Sequence, residues 1–186
     1  MSELLNATHE SKPACADFDV AVRLLLEEEG GLVDNPDDPG GLTKYGISQR
    51  TYPNIDIRNL TREAAIAIYK RDFWDSLRIE ALPAILRYAY FDAAVNCGAA
   101  TAALFLQRAL GVRADGIIGP ITRAALDAVV NSPNPAALIE LLEEFCWCRA
   151  QHHARIAVRR VSSQQFLPGW ILRLSRARAR SLGRIK

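Results

Sequence analysis

The sequence predicts a mainly α fold with a small β element beside one rigid loop. Two observations carry this. Apolar residues recur every three or four positions over most of the chain, the spacing of one helix face, while alternating strand-like runs are few. The breakers Gly, Pro and Asn cluster between those periodic segments, at 30–41, 111–120 and 131–135. With 186 residues and 49% hydrophobic content, the chain can build one medium domain or two small lobes with a sizeable core.

Taken in order, the first 16 residues read as a disordered lead-in. Phe18 to Glu29 reads as an amphipathic helix, with Asp17 or Asp19 at its start and Gly30-Gly31 ending it. After a Gly/Pro loop, 46–53 reads as a short extended piece or hairpin. Thr61 is placed to cap a helix reaching about Trp74, with Glu63 in its first turn and Ile66, Ile68, Tyr69 and Phe73 on its inner side. A helix from about Pro83 to Asn96 stops at Gly98, and the next, from Ala99 to Leu110, stops at Gly111. An Asp115-Gly116 turn precedes a helix beginning at Pro120, a favoured first-turn residue. A long helix from Ala136 to Arg159 follows, with Leu138, Leu141, Leu142, Phe145 and Ala154 as core contributors. The last helix starts near Pro168, and Trp74 is expected in the core.

Composition narrows the function classes. No apolar run reaches the length of a membrane span, and the polar, acid-containing start is unlike a signal peptide. Cys15, Cys97, Cys146 and Cys148 are expected as free thiols, since Cys146 and Cys148 point to different helix faces. Cys148 and His152 lie one helical turn apart, but two ligands do not make a zinc site, so no metal is expected. From Arg155 onward there are nine basic residues and no acid, leaving 14 of the 23 basic residues against all 21 acids in the rest. This tail, with Trp170, Ile171, Leu172 and Leu174 among its arginines, reads either as a basic interfacial helix drawn to anionic lipid or wall polymers, or as a helix packed on the core. No nucleic-acid motif accompanies the charge.

The chemistry concentrates at Glu29. At about 100° per residue, Phe18, Val22, Leu25 and Leu26 share a face on which Glu29 also lies, while Glu27 points away and Glu28 sits at an edge. A carboxyl on that face loses hydration, which suits a proton donor. The competing reading is a solvated helix-end glutamate. Residues 34–41 then hold two Pro, two Gly, three Asp and one Asn, a composition for tight turns. Glycoside hydrolysis needs a second group across the sugar. Asp38 is the leading candidate, with Thr43 to orient water, while Asp34 and Asp37 remain alternatives and any of the three can instead cap turns.

The stretch Glu29-Gly30-Gly31, Asp37-Asp38-Pro39-Gly40-Gly41, Thr43 and Tyr45-Gly46-Ile47 resembles glycoside hydrolase family 108, the N-acetylmuramidases found among phage endolysins and bacterial secretion-activator-like proteins. The spacing of Glu29, Asp38 and Thr43 is similar to the catalytic set of phage-type lysozymes, with Thr43 one residue early. Tyr90-Phe91-Asp92-Ala93-Ala94-Val95-Asn96-Cys97-Gly98, Leu106-Gln107-Arg108-Ala109-Leu110-Gly111-Val112, Ala114-Asp115-Gly116-Ile117-Ile118-Gly119-Pro120-Ile121-Thr122 and Phe166-Leu167-Pro168-Gly169-Trp170 resemble the predicted peptidoglycan domain that accompanies this hydrolase.

The resemblance implies a lysozyme-like helical fold with its small β element near the catalytic loop. It divides the chain into a lead-in at 1–16, a muramidase lobe at 17–90, a helical peptidoglycan-domain lobe at 91–175 packed with it, and a basic tail at 176–186. It implies a cofactor-free peptidoglycan hydrolase of the endolysin type, made in the host cytoplasm and released by a holin-type factor, with Glu29, Asp38 and Thr43 catalytic. By residue type, Tyr45 could stack on sugar or fill the core, and Asn96 and Gln107 could bind N-acetyl groups or serve as caps or satisfied core polar groups. Peptidoglycan is the expected partner, with anionic outer membrane or lipopolysaccharide met through the basic tail; no nucleic acid is expected, and the chain is expected to be a monomer. The rival readings are a lytic transglycosylase and a non-catalytic wall-binding protein or secretion effector.

Overall fold

The structure, a computed structural model, describes residues 14–29 and 42–184. It is mainly helical. A 3₁₀ turn at Ala14–Ala16 leads into α1 (Phe18–Glu29), followed by strands β1 (Thr43–Lys44) and β2 (Ile47–Ser48). Six helices come next: α2 (Arg62–Tyr69), α3 (Ala84–Cys97), α4 (Ala99–Ala109), α5 (Pro120–Val130), α6 (Ala137–Arg159) and α7 (Leu167–Ser181).

α3 is the centre of the fold, and its sequence explains why. Leu86, Tyr88, Ala89, Tyr90, Phe91, Asp92, Ala93 and Ala94 are all buried, so the helix is covered on every side. α1, α4, α6 and α7 pack around it. Phe18 from α1 and Trp74 meet Phe91 edge-on or tilted, with ring centroids 5.3–6.3 Å apart, the arrangement aromatic rings favour. Trp74 is 2% exposed, a core residue as expected. α2 carries it there by widening into a π turn at Lys70–Asp75.

The helix limits follow local chemistry. Thr61 accepts a hydrogen bond from the Ala64 amide at 3.1 Å and so caps α2. Gly98 (φ +91°) breaks α3 from α4 and Gly111 (φ +67°) stops α4, both in conformations where glycine is favoured. Asn131 closes α5 by bonding back to the Asp127 carbonyl.

Several expectations need correcting. Residues 14–16 are ordered, with Cys15 and Ala16 buried, so the expected lead-in reaches too far. The hairpin begins at Thr43 and turns at Tyr45-Gly46, earlier than the 46–53 segment. Ala154 is exposed; His153 and Ala157 face the core there instead. α3 and α7 run continuously across positions 90/91 and 175/176. α7 is no loose tail. Arg173, Arg176, Arg178 and Arg180 bond to acids of α1, α3 and α6, and Leu174, Ala177 and Ser181 are buried.

Candidate active site

Glu29 is the last residue of α1, and its side chain is 16% exposed. Helical phase accounts for Glu27, whose side chain is 59% exposed. It misplaces Glu28, expected at an edge. Glu28 is 8% exposed because Arg176 and Arg180 each donate to it, at 2.6 and 2.9 Å. All three glutamates thus meet arginines of α7, Glu27 through Arg180 at 3.4 Å, and only Glu29 also meets the hairpin.

That meeting depends on the Tyr45-Gly46 turn. Lys44 pairs with Ile47 across two residues that both have positive φ, +54° and +74°, the geometry of the tight hairpin turns that follow strand twist. A Cβ at Gly46 would lie 2.5 Å from Glu29 Oε2 and 2.7 Å from the Tyr69 hydroxyl oxygen. Only glycine fits, for both space and backbone. Tyr45 is an uncommon residue in the left-handed region, and such strain gathers at functional sites. Tyr69 holds it there by donating to the Tyr45 carbonyl at 2.8 Å. Burial first, and then the nearby Glu29 charge, push the Tyr69 hydroxyl up, so it remains a donor.

Behind Glu29 lies a chain of charges. Arg173 of α7 donates to Glu29 Oε1 at 2.6 Å and to Asp92 Oδ1 at 2.9 Å. Arg149 of α6 takes the other Asp92 oxygen at 2.6 Å and reaches Asn96 Oδ1 at 3.2 Å. Asp92 is fully buried and Arg149 is 1% exposed. Burial alone would push the Asp92 carboxyl up, but the Arg149 and Arg173 guanidiniums outweigh it and hold it below the usual carboxylate range. The chain ends at the surface on Asn96, whose carboxamide oxygen is turned toward Arg149.

The other expected residues distribute unevenly. Thr43 is half-buried at the base of the hairpin, paired with Ser48. Tyr45 packs partly against the core, with Lys44 Nζ 5.7 Å from its ring centroid. Asp34, Asp37 and Asp38 lie outside the described residues. Gln107 does not line a groove with Asn96. It is 1% exposed, and its amide is committed to the Asp115-Gly116 turn. Its nitrogen donates to Asp115 Oδ1, the Ile117 carbonyl and Thr122 Oγ1, while its oxygen accepts from the Asp115 and Gly116 amides. Sequence reasoning missed Asp92, Arg149, Arg173, Tyr69 and Gly46 as site-builders. One signal was present: a lone acid in an apolar helix run, as at Asp92, needs a buried partner.

All four cysteines are free. Among the described residues there is no group of three or more His, Cys, Asp or Glu that could hold a metal. Among them, too, no helix is long and apolar enough to cross a membrane. A cleft of about 540 Å³ opens between the 76–82 segment and the starts of α4 and α5, away from Glu29.

Residues 22–98 match the family described as glycosyl hydrolase 108, and residues 101–175 match the predicted peptidoglycan domain. No curated protein sequence matches the chain. Among solved structures, SagA of Brucella abortus is similar at a TM-score of 0.73 and 31% identity, covering 91% of this chain and 97% of its own. The hydrolase match holds Glu29, the hairpin and Asp92, and the peptidoglycan match supplies Arg149 and Arg173. The chain belongs to glycosyl hydrolase family 108, a glycoside hydrolase that carries a peptidoglycan domain and acts on peptidoglycan.

Proposed function

We propose that this hydrolase cleaves the β-1,4 bond between N-acetylmuramic acid and N-acetylglucosamine, with Glu29 protonating the leaving oxygen. One observation carries the reading. Of the three consecutive glutamates, Glu29 alone is both held by Arg173 and approached by the Tyr45-Gly46 turn, where glycine is required. A proton donor needs such fixed placement. Asp38, with Thr43 orienting the water, is the second group in this reading, and inversion of configuration is the expected outcome. Tyr45 and Asn96, on the hairpin and at the end of the charged chain, are the proposed sugar contacts. The biological setting proposed is that of a monomeric phage endolysin, released from the host cytoplasm by a holin-type factor.

Product analysis tests the bond and the reaction together. Mass spectrometry of fragments from purified sacculi should show reducing muramic ends. A 1,6-anhydro end would establish a lytic transglycosylase instead, and binding to sacculi without any released fragment would establish a non-catalytic wall binder.

Attraction to anionic outer surfaces moves from α7 to the corner before it. The α7 arginines are occupied by acids, whereas Arg159 and Arg160 pair with no acid among the described residues and sit beside exposed Val158, Val161 and Phe166. Replacing both arginines by Ala should reduce sedimentation with phosphatidylglycerol vesicles while leaving cleavage of isolated walls unchanged. Equal sedimentation of the variant would remove this role.

A further inference from the structure

We propose that the segment matched as the peptidoglycan domain is itself part of the catalytic apparatus, with Arg173 as the positioning residue of Glu29. The inference rests on Glu29 being the proton donor.

The two matched segments do not divide the site between them as a catalytic half and a binding half. Glu29 and Asp92 come from residues 22–98, and Arg149 and Arg173 from residues 101–175. The bonds joining them span 144 residues for Glu29 to Arg173 and 57 for Asp92 to Arg149. A guanidinium is a rigid planar fork. Arg173 Nε is fixed on Asp92 Oδ1, so the position of Nη2, and with it the position of Glu29 Oε1, is fixed too. Asp92 cannot yield, because Arg149 takes its other oxygen and nearly no water reaches either residue.

The charges also balance in a useful sense. The cluster holds two guanidiniums and two carboxyl groups. When Glu29 gives its proton to the glycosidic oxygen, its O–H bond breaks, a new O–H bond forms on the leaving sugar, and the electron pair stays on the carboxylate facing Arg173. The guanidinium therefore receives charge that develops during the step, which is where a fixed electrostatic partner helps most. Among the described residues, the other groups around Glu29 are the neutral Tyr69 hydroxyl of α2, the Tyr45-Gly46 turn, and the neighbouring Glu28 with its own pair of arginines, Arg176 and Arg180. Among the described residues, Asp92 is the one other acid on Arg173, so it divides the positive charge that Glu29 faces.

The test is the pH profile of kcat and KM, measured on the full chain with peptide-free glycan strands. Arg173→Gln should lower kcat by about tenfold or more with little change in KM. It should also move the alkaline limb up by about one pH unit or more, since the carboxylate loses its counter-charge. Asp92→Asn should move that limb the opposite way. Arg173→Lys should keep the limb near the wild-type position while kcat stays low, because an ammonium cannot span both carboxylates. A limb that stays put in folded Arg173→Gln overturns the proposal whatever happens to kcat. If Arg173→Gln does not fold, Arg173→Lys decides, and wild-type kcat in that variant overturns the proposal. Cleavage at the wild-type rate by Glu29→Gln would instead remove the proton-donor reading, so the two failures are distinguishable.

Discussion

Two polar networks in this molecule, each centred on a buried residue and each containing an aspartate, differ in reach and in what they leave available. The Gln107 network joins Gln107, Asp115, Gly116, Ile117 and Thr122 within 15 residues of chain. Its amide is saturated by local partners and it fixes one turn between α4 and α5. The Asp92 network joins α1, α3, α6 and α7, carries charge, and ends on a half-buried carboxylate at one side and an exposed amide at the other. A network confined to one turn gives order to a loop. One that joins four helices and ends on Glu29 gives direction to chemistry.

The comparison can be broken most forcefully at Arg149. Arg149→Met removes one partner of a fully buried pair and leaves Asp92 with only Arg173, which should cost about 3–5 kcal/mol in denaturant unfolding. A loss under about 1 kcal/mol would mean that the network does not hold the helices together. The second test is Gly46→Ala. Its new methyl would press on Glu29 and Tyr69 in a backbone conformation that alanine resists, so the melting temperature should fall by roughly a few degrees and cleavage per folded molecule by roughly a hundredfold. Gln107→Ala should do the reverse. It leaves the Asp115 and Gly116 amides without their acceptor and should cost about 2 kcal/mol of stability, with cleavage per folded molecule retained.

The smallest effect sharpens the electrostatics. His153 is buried, stacks on Trp170 with ring centroids 5.0 Å apart, and is pushed down to about 4 by burial and then by the Arg149 charge. The folded state therefore favours the neutral ring. Its contribution to stability is present above the unfolded value of 6.5 and is lost as pH falls from there toward 4. Wild-type stability should drop by on the order of 1–2 kcal/mol more than that of His153→Leu across this window. Parallel pH curves for the two proteins would contradict the assignment.

Much of the fold is legible in the sequence because its helices are set by local rules. Phe18 to Glu29, the Thr61 cap, the breaks at Gly98 and Gly111, and the start at Pro120 all follow from apolar spacing and terminal residues. The site is less legible because long-range ion pairs build it. Phase places Glu29 and Glu27, but Glu28 is buried by arginines about 150 residues away, which no local pattern encodes. The same cause turns an apparent basic tail into a docked helix. Asn96 and Gln107 are chemically equivalent in the sequence, and only burial separates them.

Rates of fragment release from purified sacculi by wild-type protein and Glu29→Gln, matched for melting temperature, test the central claim most directly. The account predicts near-complete loss in Glu29→Gln, with Glu27→Gln close to wild type. Wild-type release by Glu29→Gln would contradict it.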